Sequence, residues 1–138
     1  AMVGATDWTR FTAPKVPAPI AYPPIAGYAI SGLHDLEPIS LCYLQDSLQL
    51  TDLEVRRNSP MDLPPPASGA WLALVGSEEG PEYHRQSIEL ATRWRSTGEW
   101  QVSAEIARGH DHFSIVMALN DARDPLTWRI AEDLLRRR

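Results

Sequence analysis

Three short apolar runs, spaced along the chain and separated by segments of helical character, constrain this sequence most. They are Ile25–Ile30, Trp71–Gly76 and the alternating run Trp100–Ile106. The first two suit strands buried on both faces, and the third suits a strand by its period of two. Between the second and third, Pro81 stands in a first helical turn. Tyr83, Ile88, Leu90, Ala91 and Trp94 then recur at helical spacing, and Gly98 follows as a stop, so a helix is predicted over 81–97. Leu41, Leu44 and Leu48 predict a helix within 40–50, and Thr51-Asp52 would cap a second one reaching Arg57. A short apolar helix is predicted over 112–119. A last helix would begin at Asp124-Pro125, with Leu126, Ile130, Leu134 and Leu135 on its apolar face.

The resulting order is strand, helices, strand, helix, strand, helix, helix. Such alternation predicts an α/β fold with a parallel sheet. Three parallel strands have two open edges and little area for helices to cover. The expectation is therefore part of a larger sheet, completed by oligomerisation or by a partner segment. The 12 prolines cluster. Pro14, Pro17, Pro19, Pro23 and Pro24 make residues 13–24 an extended connector, and Ser59-Pro60 with Pro64-Pro65-Pro66 makes a second rigid loop.

Composition narrows the function classes. At 138 residues, 43% hydrophobic and 22% charged, the chain suits one domain with a modest core. A net charge of −5 lacks the basic stripe of a nucleic-acid surface. Arg136-Arg137-Arg138 suits a solvated helix end. Cys42 is the single cysteine, which excludes an intramolecular disulfide and points to a reducing, cytoplasmic setting. Its neighbours Leu41, Tyr43 and Leu44 predict a buried thiol. No run is long enough for a membrane span, and no signal peptide is visible.

Chemistry concentrates on two turns that follow strands, where open α/β sheets carry functional groups. The first, Val75-Gly76-Ser77-Glu78-Glu79-Gly80-Pro81-Glu82-Tyr83, holds Glu78, Glu79 and Glu82. Taken locally, these read either as solvated acids at a helix N-terminus or as one acid aimed at an imidazole. The second, Gly109-His110-Asp111-His112-Phe113-Ser114, holds two histidines. His-x-His could serve a metal, but no third ligand stands at sensible spacing, so neither metal nor cofactor is expected. His34 and His84 are isolated, and a place at the surface or satisfaction in the core is the default reading for both.

Four motifs in order resemble the C-terminal half of arylformamidases (kynurenine formamidases), relatives of the α/β-hydrolase esterases. They are Ile30-Ser31-Gly32-Leu33-His34-Asp35-Leu36-Glu37-Pro38, Ser59-Pro60, Val75 to Ser87, and Gly109 to Ser114. The resemblance covers residues 25 to about 119. It implies a partial α/β-hydrolase fold and hydrolysis of N-formylkynurenine or a related aryl formamide or ester. It maps the triad acid to Glu79 and the triad base to His112, and matches Ser31, Gly32 and Leu33 to the substrate-pocket wall. The family's Gly-x-Ser-x-Gly nucleophile turn and its His-Gly-Gly-type oxyanion loop do not occur in this chain. Ser68 lacks the preceding glycine. Ala1 to Trp8 is similar to the end of the helix that follows the nucleophile turn.

Two functional expectations follow. In one, residues 1–138 are the C-terminal portion of a serine hydrolase acting on a small acyl or formamide substrate. The serine would then come from a complementing N-terminal segment or a second chain. In the other, the chain is an inactive truncated hydrolase that serves as an oligomeric or interaction module.

Overall fold

A computed structural model of the chain describes residues 26–65, 69–95 and 101–136. The expectations for Ala1–Trp8, the proline connector, Ser68, Gly98, Arg137 and Arg138 fall outside those residues. In chain order the elements are β1 (Ala26–Ile30), α1 (Glu37–Ser40), α2 (Gln45–Leu48), α3 (Asp52–Asn58), a 3-10 turn (Pro60–Asp62), β2 (Ala70–Gly76), α4 (Pro81–Arg95), β3 (Gln101–Ala107), α5 (Ser114–Met117), a second 3-10 turn (Ala118–Asn120) and α6 (Pro125–Arg136). The fold is α/β, with a parallel sheet of order β1-β2-β3 and helices on both faces.

β2 lies in the middle because its residues tolerate no water. All seven residues of Ala-Trp-Leu-Ala-Leu-Val-Gly are buried. Ala26 and Ile30 of β1 stand opposite Ala70 and Leu74, and Gln101 and Ala107 of β3 stand opposite Ala70 and Gly76. Side-chain alternation divides the core into two layers. On one face Trp71 and Val102 meet Leu90, Ala91 and Trp94 of α4 together with Met61. Trp71 and Trp94 meet edge to face at 6.4 Å. On the other face Leu72 and Leu74 meet Ile115, Ala118 and Leu126. Arg95 closes α4 onto the sheet by donating twice to the Val102 carbonyl, at 2.7 and 3.0 Å.

Three local expectations are corrected. Residues 40–50 do not form one helix. α1 ends at Ser40, α2 ends at Leu48, and Gln49 turns left-handed at φ 49°. Side chains that bond nearby backbone compete here with helix propagation. Ser40 Oγ donates to the Glu37 carbonyl, and the Gln45 amide bonds both backbone groups of Leu50. Leu41, Leu44 and Leu48 are consequently exposed. Cys42 is half-buried, with Sγ directed to the Ile39 carbonyl. In α6, Leu126 and Ile130 join the core, whereas Leu134 and Leu135 are exposed. The expected cap at Thr51 is present as a capping box with Glu54. No helix among the described residues is long and apolar enough to cross a membrane.

Candidate functional site

The carboxyl ends of the three parallel strands lie side by side, so the segments that leave them meet. The turn after β2 folds back on itself, with Glu79 N donating to the Gly76 carbonyl at 3.1 Å. The turn after β3 is bound to it. Ser77 N donates to the Ala107 carbonyl at 2.9 Å, Glu78 N to the His110 carbonyl at 3.0 Å, and Gly109 N to Ser77 Oγ at 2.9 Å. Gly76 permits this contact, since a Cβ there would lie 2.2 Å from the His110 carbonyl oxygen. The two turns that stood apart in sequence are thus one hydrogen-bonded unit.

His112 projects from this unit toward Glu79. Asp111 fixes its backbone, because Oδ1 accepts from the amides of Phe113 and Ser114 while Ser114 Oγ accepts from Asp111 N. His112 Nδ1 lies 2.9 Å from Glu79 Oε2. The other oxygen, Oε1, accepts from Gly76 N at 2.7 Å and from Ser31 Oγ at 2.6 Å. The Glu79 side chain is 0% exposed, whereas that of His112 is 43% exposed. Burial pushes the Glu79 carboxyl up. The hydrogen bonds from Ser31, Gly76 and His112 outweigh that and hold it below the ordinary glutamate range. An ionised carboxylate only accepts, so this contact calls for a proton on His112 Nδ1, donated to Glu79. The imidazole also lies 4.7 Å from the Tyr83 ring and 5.4 Å from the Phe113 ring. Phe113 itself is 78% exposed.

The geometry separates the three acids that local sequence left open. Glu78 is exposed and bonds to Ser77. Glu82 is held by Arg85 and Gln86, whose hydrogen bonds pull its carboxyl down to about 2. Glu79 is the acid that meets the imidazole. Among the described residues, no three His, Cys, Asp or Glu side chains gather as a metal ion requires.

The segment after β1 completes the site. Ser31 N extends the sheet by donating to the Leu74 carbonyl at 2.8 Å. Its side chain turns toward Glu79. Gly32 lies against the His34 ring, which a Cβ would meet at 2.4 Å, and Leu33 is half-buried. Sequence reasoning gave no role to the residues that hold this loop. Gln86, fully buried on α4, accepts from His34 N at 2.6 Å and Asp35 N at 2.8 Å, and donates to the Asp35 carbonyl at 3.0 Å. Ser59 accepts from Leu36 N and donates to the Val55 carbonyl. Both stand in motifs of the resemblance, at Ser59-Pro60 and Gln86-Ser87, which was the available signal. His34 is not a surface residue. It is 1% exposed, and burial lowers its imidazole to about 4.

No family model matches the chain. The kynurenine formamidase of Danio rerio is 33% identical in an alignment of 133 residues, and the match covers 92% of this chain and 42% of that protein. The kynurenine formamidase of Salmo salar is 30% identical over 133 residues, with the same two shares. A solved structure from Silicibacter sp. TM1040, of a protein described by inference as a thioesterase, aligns with a TM-score of 0.67. It is 22% identical, and the match covers 80% of this chain and 40% of that one. That likeness speaks for the fold alone. The chain spans less than half the length of the curated relatives it matches. Over nearly all of its own length, it is homologous to kynurenine formamidase.

Proposed function

We propose that this chain is the acid–base portion of a serine hydrolase of the arylformamidase type, with an α/β-hydrolase arrangement. One observation carries the reading. A fully covered carboxylate meets Nδ1 of an imidazole that is itself 43% exposed, across turns that follow adjacent parallel strands. Homology to kynurenine formamidases supports an aryl formamide, such as N-formylkynurenine, as the proposed substrate class.

In this mechanism Glu79 keeps His112 in the tautomer with Nδ1 protonated, leaving Nε2 free to accept a proton. A serine outside residues 1–138 attacks the formyl carbonyl while Nε2 takes the hydroxyl proton. The imidazolium, steadied by Glu79, then protonates the departing arylamine nitrogen, and the C–N bond breaks. Water attacks the formyl ester, gives its proton to Nε2, and formate leaves as the serine recovers its proton. The residue that bears the serine would precede β1 in sequence, on a strand added to the sheet beside it. A complementing segment or a second chain that completes the sheet would be the partner.

Fluorophosphonate labelling tests this. Protein that includes the upstream coding sequence should be labelled, and peptide mapping should locate the adduct on a serine outside residues 1–138. Glu79→Gln and His112→Ala should each slow labelling by two orders of magnitude or more. A labelled serine within residues 1–138, or labelling unaffected by both substitutions, would overturn the proposal.

A further inference from the structure

The hydroxyl of Ser31 is spent on the acid rather than presented to solvent. Ser31 is buried and lies 48 positions before Glu79 in sequence, yet Oγ comes within 2.6 Å of Oε1. Its backbone sits at φ 48°, in the left-handed region that costs a non-glycine residue free energy. Glycine would occupy that conformation without strain, so the serine is there for something glycine lacks. Around it the loop is over-determined. Ser31 N is held by the Leu74 carbonyl, Gly32 abuts the His34 ring, and Gln86 clamps the amides of residues 34 and 35. The strained turn therefore delivers one hydroxyl to one oxygen.

The two carboxylate oxygens have separate duties. Oε1 takes Ser31 Oγ and Gly76 N, while Oε2 takes His112 Nδ1. Without the hydroxyl, Oε1 would be held by the Gly76 N–H alone, with only the His112 contact itself on Oε2. A glutamate has one more rotatable bond than an aspartate, so its carboxylate is harder to fix about the last torsion. We propose that Ser31 is a positioning residue, whose hydroxyl holds the Glu79 carboxylate with Oε2 aimed at His112. It acts through Glu79 and not as part of the substrate wall. This rests on the Glu79–His112 reading given above.

Ser31→Ala removes the hydroxyl and keeps the strain, whereas Ser31→Gly removes both. In the 138-residue chain, carbon-13 NMR of the Glu79 carboxyl should show its titration midpoint rising in both variants. The His112 Nδ1 proton resonance should move upfield as its hydrogen bond weakens. In the protein extended by its upstream sequence, both variants should lose about tenfold to a hundredfold in kcat toward N-formylkynurenine, with little change in KM. Ser31→Gly should do so with the fold intact by circular dichroism. A raised KM with unchanged kcat would overturn the proposal in favour of a substrate-wall role. Full activity of Ser31→Gly, or an unmoved Glu79 midpoint, would overturn it too. Glu79→Gln measured alongside keeps the two readings apart. If that variant loses turnover while the Ser31 variants do not, only the role of Ser31 fails; if Glu79→Gln is fully active, the Glu79–His112 reading fails with it.

Discussion

Replacing His34 by leucine should remove a defined part of the chain's sensitivity to acid. The His34 ring is 1% exposed, and neither ring nitrogen has a hydrogen-bond partner among the described residues. Burial therefore penalises the charged form and lowers the imidazole from 6.5 to about 4. The sign follows from which state binds the proton. As pH falls below 6.5 the unfolded chain takes up a proton that the folded chain refuses, so stability drops. The drop continues until the folded pKa near 4, below which both states are protonated. Each pH unit in this window costs about 1.4 kcal/mol, and the whole window about 3 kcal/mol. Urea unfolding at pH 7 and pH 5 would measure it. The unsubstituted chain should lose about 2 kcal/mol more than His34→Leu between those values. The comparison is one of slopes, so any fixed cost of the substitution cancels. Carboxylates held low, such as Glu79 and Glu82, lose their contribution only as pH falls further. Parallel pH profiles for the two proteins would refute the account of a buried neutral imidazole.

Three further outcomes follow from packing and hydrogen bonding. Trp94 is almost fully buried against Trp71, so Trp94→Ala should cost about 3–5 kcal/mol in equilibrium unfolding. Gln86→Ala should cost about 2–4 kcal/mol, because it strands the amides of His34 and Asp35, and amide exchange at those two positions should quicken selectively. Thr51→Ala breaks the capping box of α3 and should cost about 1 kcal/mol, read from the midpoint of chemical unfolding.

What the sequence disclosed followed from how local each signal was. β2 and α4 were legible as elements because apolar runs and helical spacing are written within a few residues. Their places were not: the first apolar run reads like the second, yet β1 is a half-buried edge strand and β2 the buried central one. The break between α1 and α2 was not legible, because the leucine spacing there persists while Ser40 and Gln45 redirect the backbone. The two site turns were legible as strand ends. The choice among Glu78, Glu79 and Glu82 was not legible from the local residues, since it depends on the fit of Gly76 beneath the His110 carbonyl; only the resemblance singled out Glu79. Ser31 and Gln86 lie about 50 positions from the groups they hold. Nothing in their own neighbourhoods announces those contacts, and only folding brings them together.

The pairing of Glu79 with His112 as an acid–base unit is most directly tested by one rate. The turnover number of His112→Ala toward N-formylkynurenine, the proposed substrate, should be measured in a protein that joins this chain to the proposed serine-bearing segment, beside the unsubstituted protein. The expected result is a fall of at least 10²-fold in kcat, as loss of a general base requires, with the fold intact by circular dichroism. Turnover within a factor of a few of the unsubstituted protein would contradict the account.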